Sequence, residues 1–347
     1  MVLCVMTRET LISKNPDPGD DDPNLRPTEI DHMIGQRDVI ERLRIAIDAA
    51  RQRDETLGHI LFDGPPGLGK TTFAHCIPNE LGVQISFLSG PSLKAPKDLV
   101  PNLTNLVAKQ VLFIDEIHRI PKAVEEYLYT AMEDFRIDLI LGEGLNARTH
   151  NFHLKPFTLI GATTRAGMLS GPLRDRFQIR EHLDFYSLAE LTQIVKRNAA
   201  KLKVSITDDA AENIARRSRG TPRVANNRLR WVRDYAQSRA NGEINLEIAT
   251  AALQMVAIDD LGLDRQDRRY LETLIRVCGG GPTGIETIAA TMNTASDTLE
   301  DEVEPYLLRT ELILRTSRGR IATPLGFEHL KVSTPKNGSN QAESLFE

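Results

Sequence analysis

Cysteine is scarce in this chain: Cys4, Cys76 and Cys278 lie far apart in 347 residues, with no metal or redox spacing. That excludes a disulfide-stapled scaffold and a cysteine-based zinc site, and it fits a reducing cytosol. No apolar run reaches the ~18 residues of a membrane span. The apolar start, Met1 to Met6, is too short for a secretory leader, so a cytoplasmic protein is expected. Positive charge is not in surplus either. Lys and Arg number 43 against 48 Asp and Glu, a net charge of −5, so any nucleic-acid contact must come from a local basic patch. The histidines, among them His59, His75, His118, His150 and His153, have no metal-ligand spacing, and His118 is read as structural. Internal repeats are lacking. What remains is an ordinary globular composition, 41% apolar and 26% charged, on a length that suits two or three domains.

The stretch that organises the chain is Gly64-Pro65-Pro66-Gly67-Leu68-Gly69-Lys70-Thr71-Thr72, between an apolar run from His59 to Phe62 and an amphipathic run from Thr72 to Leu81. Strand, glycine loop and helix in that order, with G-x-x-x-x-G-K-T spacing, form a phosphate-binding P-loop. Glycines such as Gly67 and Gly69 let successive N–H groups turn toward an anion, and the helix N-terminus adds attraction. Lys70 can reach β- and γ-phosphates, Thr71 can ligate Mg²⁺, and Thr72 can bond an α-phosphate. Four apolar residues, Val111 to Ile114, lead into Asp115-Glu116, a Walker B arrangement. Asp115 suits the Mg²⁺ shell and Glu116 suits polarising an attacking water. Thr164, after the apolar run Phe157 to Gly161, could orient the same water or the γ-phosphate.

Buried strands alternate with helical patterns at 39–50, 99–106 and 123–132, which implies a doubly wound α/β sheet with its ligand at the carboxyl ends of the strands. Residues 1–24 read as a disordered acidic tail and 25–186 as the large ATPase domain. Weak alternation around Gly142-Glu143-Gly144 suggests a hairpin over 136–156. Helical patterns alone cover 187–259, a small lid domain. Short helices and a strand–turn–strand at 312–323 suggest a winged helix over 260–331, before a flexible tail at 332–347. Phosphoryl transfer needs further positive charge in the transition state. Arg223 opens a lid helix and could reach the nucleotide; Arg174 and Arg176 follow Thr164 and suit a finger into a neighbouring subunit. Arg309, Arg315, Arg318 and Arg320 outnumber Glu311 on the wing and can grip phosphates without reading bases.

These blocks, with Leu112 to Arg119, Pro156 to Gly167, Pro172 to Phe177, Gly220 to Arg223, Gly280 to Pro282 and Glu304 to Leu307, closely resemble the RuvB family of AAA+ Holliday-junction branch-migration motors, from about residue 25 to 331. The resemblance implies an AAA+ P-loop fold that uses ATP and Mg²⁺ in a homohexameric ring on the duplex arms of Holliday junctions. It implies RuvA as partner of the 136–156 hairpin, and RuvC resolvase in the larger complex. Leu25, Arg26 and Tyr186 would then border the nucleotide, with Glu133, Asp134 and Phe135 near ATP from an adjoining subunit. Thr164 would be sensor 1, Arg223 sensor 2 and Arg176 the arginine finger, with Arg174 beside it. Arg315 and Arg320 would contact DNA, with Arg318 nearby. The chain departs from the pattern at Pro78, expected to kink the end of its helix, and at Leu145-Asn146, Asn151-Phe152-His153, Ser296 and Glu311. A clamp-loader-like ATPase would carry a helical collar in place of the winged helix. A nucleotide-switched DNA-binding regulator could dispense with Glu116 and the finger.

Overall fold

The computed structural model describes residues 25–141 and 148–333. The acidic tail, the hairpin tip with Leu145-Asn146 and the chain after residue 333 lie outside the described residues. Strands β1 (Ile60–Asp63), β2 (Ile85–Ser89), β3 (Val111–Asp115), β4 (Arg136–Leu141), β5 (Arg148–His153), β6 (Thr158–Thr163) and β7 (Ile179–His182) belong to the first unit. Five of them form one sheet in the order β2-β3-β6-β1-β7, and every neighbouring pair is parallel. Period-two alternation feeds two cores at once. Ile60, Phe62, Phe113, Ile160 and Ala162 join the cluster on one face, and Leu61, Leu112, Ile114 and Leu159 join the cluster on the other. Helices α1 (Arg37–Arg53) and α2 (Lys70–Leu81) cover the first face; α3 (Pro96–Thr104) and α4 (Lys122–Glu133) cover the second. The doubly wound reading therefore holds.

Local rules explain several element bounds. In α1, Val39, Leu43, Ile47 and Ala50 are buried at helical spacing. The third helix begins earlier than the apolar spacing suggests, at Pro96, because Pro suits a first turn and the Asp98 carboxylate accepts from the N–H of Lys94 and Ala95. Pro78 does not end α2, which runs on to Leu81 and closes with Gly82 in the left-handed region. The ring costs only the bond to the carbonyl one turn back, and the Pro78 carbonyl still accepts from Val83. Strand β7 has no counterpart in the sequence reading. Its Arg180-Glu181-His182 run is too charged to look apolar, yet Glu181 is buried and receives Arg42 Nε at 2.9 Å. The hairpin is present as β4 paired antiparallel with β5, Ile137 opposite Phe152.

A short helix α5 (Gly171–Asp175) precedes β7, and α6 (Leu188–Lys201), α7 (Asp208–Arg216), α8 (Pro222–Arg239) and α9 (Leu246–Met255) make the lid. Ile194, Val195, Leu229 and Val232 of the lid share one hydrophobic cluster with Phe62 and Phe73 of the sheet unit. The last unit has its own core of Tyr270, Leu274, Ile288, Leu299, Leu307 and Ile313. Its helices are α10 (Arg265–Glu272), α11 (Ile285–Met292), α12 (Ser296–Thr298), α13 (Glu304–Arg309) and α14 (Pro324–His329), and its wing is β8 (Ile313–Thr316) with β9 (Gly319–Ala322). Thr283 bridges to Arg320 as a third edge of that wing. The unit is tied to the lid by Arg219, which pairs with Asp264 at 2.5 Å and also with Asp267, and by Arg309, whose Nη1 donates to the Arg219 carbonyl at 3.2 Å while its guanidinium lies 4.2 Å over the Phe185 ring just before the lid. Among the described residues no helix is long and apolar enough to cross a membrane.

Glu304 is the polar centre of the winged unit. Its fully covered side chain accepts from Tyr270 Oη at 2.6 Å, Arg315 Nε at 2.7 Å and Arg320 Nε at 2.8 Å. Removing Glu304 leaves the fully covered Tyr270 hydroxyl without its acceptor and takes a carboxylate from the mostly buried Arg320. Glu304→Ala should therefore lower stability by about 3 kcal/mol. Glu304→Gln, which keeps a bond to Tyr270, should cost less, with both read from urea unfolding of the full chain by circular dichroism.

Candidate functional site

The carboxyl ends of β1, β3 and β6 point at one cleft. Its wall holds Leu25, Arg26, Gly67, Gly69, Lys70, Thr71, Thr72, Asp115, Glu116, Thr164, Tyr186 and Arg223. Most of the residues expected at a nucleotide are thus brought together. Gly69 takes φ +106°, a value that L side chains avoid, and there the chain turns into α2. Lys70 opens that helix, only 7% exposed, and its Nζ donates to the carbonyls of Gly64 at 2.7 Å and Pro65 at 2.9 Å. Burial pushes its ammonium down to about 8, against the attraction of Asp115 and Glu116. A buried cation at a helix N-terminus is what a polyphosphate would complete.

Glu116 stands in the left-handed region at φ +50°, uncommon for a residue with a side chain. Burial, then Asp115, raises its carboxyl above the ordinary range, with Arg119 opposing. The turn is held from behind: a Cβ on Gly90 would lie 2.2 Å from the Glu116 carbonyl oxygen. His118, read from sequence as structural, has a specific place. Its Nε2 lies 3.3 Å from Glu116 Oε2 and its Nδ1 lies 2.8 Å from Thr163 Oγ1, so it bridges the ends of β3 and β6. No metal-ligand spacing could have signalled this, because the imidazole meets a carboxylate and a hydroxyl. Among the described residues, no group of three or more His, Cys, Asp or Glu could hold a metal unaided. A divalent ion here would rest on Asp115, Thr71 and the ligand's own oxygens, as suits Mg²⁺.

The lid closes the cleft from above. The Arg223 N–H meets the Gly67 carbonyl at 3.4 Å, and Tyr186 Oη donates to the Leu68 carbonyl at 3.2 Å. Lys201 Nζ reaches the carbonyls of Leu25 and Arg26, both at 3.4 Å. Arg197, Asn198 and Asn226 also line the wall, with Asn198 Nδ2 donating to Asn226 Oδ1 at 2.6 Å. Sequence reasoning missed these; their only trace is a polar interruption of buried faces in α6 and α8.

Four expected residues sit elsewhere. Glu133, Asp134, Phe135 and Arg176 are absent from this wall. Arg176 Nη2 meets Glu133 Oε2 at 2.8 Å, and its guanidinium lies 4.6 Å over the Tyr129 ring. Asp134 pairs with Arg136 at 3.3 Å and Phe135 packs edge-on against Phe157. Arg174 is exposed, and Asp175 pairs with Arg180 rather than with either neighbouring arginine. On the wing, Arg318 is exposed, Arg315 is 45% exposed while held by Glu304, and Arg320 is 13% exposed, held by Glu300 and Glu304. Glu311 adopts φ +56°, in the left-handed region that favours glycine. Gly90→Ala should displace the Glu116 turn while sparing Lys70. Expected is ATP hydrolysis slowed at least ~10-fold with ATP affinity nearly kept, read from turnover and from fluorescent-nucleotide titration.

Comparison with known proteins covers the whole described chain. Residues 25–183 match the family model described as Holliday junction DNA helicase RuvB P-loop domain. Residues 186–259 match the RuvB AAA lid domain and 260–331 the RuvB C-terminal winged helix domain. The Holliday junction branch migration complex subunit RuvB of Rhodopirellula baltica is 59% identical over 361 residues, spanning 96% of this chain and 99% of that one. The protein of the same name from Parafrankia sp. is 50% identical over 345 residues, spanning 98% of each. The structure of the Thermotoga maritima RuvB Holliday junction branch migration motor superposes with TM-score 0.82 at 47% identity, covering 90% of this chain and 100% of that one. A glycine-loop cleft, a helical lid and a winged unit, matched in order from residue 25 to 331, place this chain in the RuvB family.

Proposed function

We propose that this chain is the ATP-hydrolysing motor subunit of a Holliday-junction branch-migration complex. It works as a homohexameric ring that moves duplex DNA, in the cytoplasm and without a membrane. The observation that carries this reading is a division of labour. One face of the chain gathers Lys70, Thr71, Asp115, Glu116, Thr164 and Arg223 in a cleft, and another carries Arg176 with Glu133 outside it. A chain with both a nucleotide site and a displaced arginine makes a whole site only beside a second copy.

In this reading Lys70 and the P-loop N–H groups hold the β- and γ-phosphates, and Thr72 holds the α-phosphate. Leu25, Arg26 and Tyr186 border the base and ribose. Mg²⁺, held by Thr71 and Asp115, would supply neutralising charge to the phosphates. Glu116 orients the attacking water and accepts its proton, and Thr164 fixes the same water or the γ-phosphate. Arg223 from the lid and Arg176 from a neighbour stabilise the charge that spreads over the transferred group, with Glu133, Asp134 and Phe135 lining the neighbour's contribution. Lid closure over Arg223 turns loss of the γ-phosphate into a change of angle between the two ATPase units. Phe152, 44% exposed on β5, suits an apolar contact with RuvA, and RuvC joins the larger assembly. Arg318 is the wing arginine ready for phosphate; Arg315 and Arg320 must release Glu304 to join it.

Glu116→Gln should bind ATP and lose turnover by about a hundredfold or more. Arg176→Ala should bind ATP normally yet hydrolyse it about a thousandfold slower at concentrations that assemble the ring. Wild-type turnover in Arg176→Ala would refute action across the interface. Branch migration of a four-way junction, with and without RuvA, tests the motor itself.

A further inference from the structure

A line of polar contacts runs from Glu116 to Asp301 of the winged unit, the chain neighbour of a residue that holds the wing. The backbone N–H of Arg165 donates to Thr163 Oγ1 at 3.0 Å, and that hydroxyl lies 2.8 Å from His118 Nδ1. His118 Nε2 lies 3.3 Å from Glu116 Oε2. One proton arrangement satisfies every link, with the hydroxyl donating to Nδ1 and Nε2–H donating to the carboxylate. The His118 side chain is 3% exposed, so it cannot swing aside without moving both strand ends. In the other direction, Arg165 Nε donates to Asp301 Oδ1 at 2.8 Å, and its Nη2 lies 3.7 Å from Asp297. Asp301 belongs to the winged unit. It sits in a π-helical turn, Leu299–Val303, beside Glu300, which holds Arg320 at 2.6 Å, and just before Glu304, which holds Arg315 and Arg320.

We propose that Arg165 and Asp301 form a breakable ionic link through which the winged unit positions Glu116 and Thr164 for hydrolysis in its own subunit. Arg165 directly follows Thr164, so a pull on its guanidinium moves the loop that carries the hydroxyl. A DNA phosphate at Arg320 competes with Glu300 and Glu304 for the same guanidinium. Release of Glu300 loosens the turn that carries Asp301, a π-wound turn of the kind that concentrates at functional sites. Arg165 and Asp301 are 26% and 31% exposed, so the pair is neither sealed in a core nor washed out by solvent. Asp301 is also near enough to add to the negative field on Glu116, after burial and Asp115. The inference rests on the roles given above to Glu116, Thr164 and the wing.

The test uses the full chain as wild type, Asp301→Asn, Arg165→Gln and the double variant. ATP turnover is measured with and without linear duplex DNA, and each variant's thermal midpoint is recorded. Wild type should be stimulated by duplex. In each single variant the stimulation factor should shrink roughly three- to tenfold through kcat, with KM for ATP within about twofold. The double variant should be no worse than the singles, because all three break one link. Unchanged stimulation in Asp301→Asn, losses that multiply in the double variant, or an equal fall with and without DNA alongside a lower midpoint would each overturn the link. A wild type that hydrolyses no ATP would instead overturn the motor reading, and the link with it.

Discussion

The Lys70 ammonium, 7% exposed and bonded to two carbonyls of its own loop, sets the terms for the large unit. A cation taken out of water needs negative charge nearby, and Asp115 and Glu116 supply it from the next strand but one. That juxtaposition requires parallel strands, because only parallel strands put the ends of β1, β3 and β6 on one edge. Parallel strands in turn require covered faces, and alternate side chains of each strand feed two separate cores. The glycines at the loop and behind Glu116 are consequences of the same demand for close approach, where backbone must sit where a Cβ would.

The other units are arranged around this charge rather than beside it. The lid shares the sheet's hydrophobic cluster and touches the loop through Arg223 and Tyr186, so its angle and the cleft's shape are one variable. The winged unit touches both of the others, with Arg219 and Arg309 at the lid and Asp301 at the loop after β6. Its own core is independent, which makes those polar seams the places where motion is cheap. Arg176 lies outside that cleft, clamped between Glu133 and Tyr129.

Legibility followed the physics of each signal. The P-loop and Asp115-Glu116 were readable because the chemistry needs particular residues at short, invariant spacing along one segment. Sheet strands at 111–115 and 158–163 were readable because burial on both faces demands continuous apolar runs. Strand β7 was not, since an edge strand can carry Arg180 and His182 outward and needs only Ile179 and a paired Glu181 inside. The wing arginines were visible as charge, but their partners were not. Nothing local marks Glu300 and Glu304 as those partners, and only folding brought Glu304 beneath Arg315, Arg320 and Tyr270. The bridges made by His118 and Arg165 gave no signal because Thr163 and Asp301 are far along the chain and of unrelated types. The sequence by itself determined the nucleotide chemistry, the order of the units and the alternation of strand and helix, all of which are written in local spacing. The tertiary structure decided which charges are spent internally, which arginine faces away from its own cleft, and how the winged unit meets the catalytic edge. Those depend on long-range contacts that no local pattern encodes.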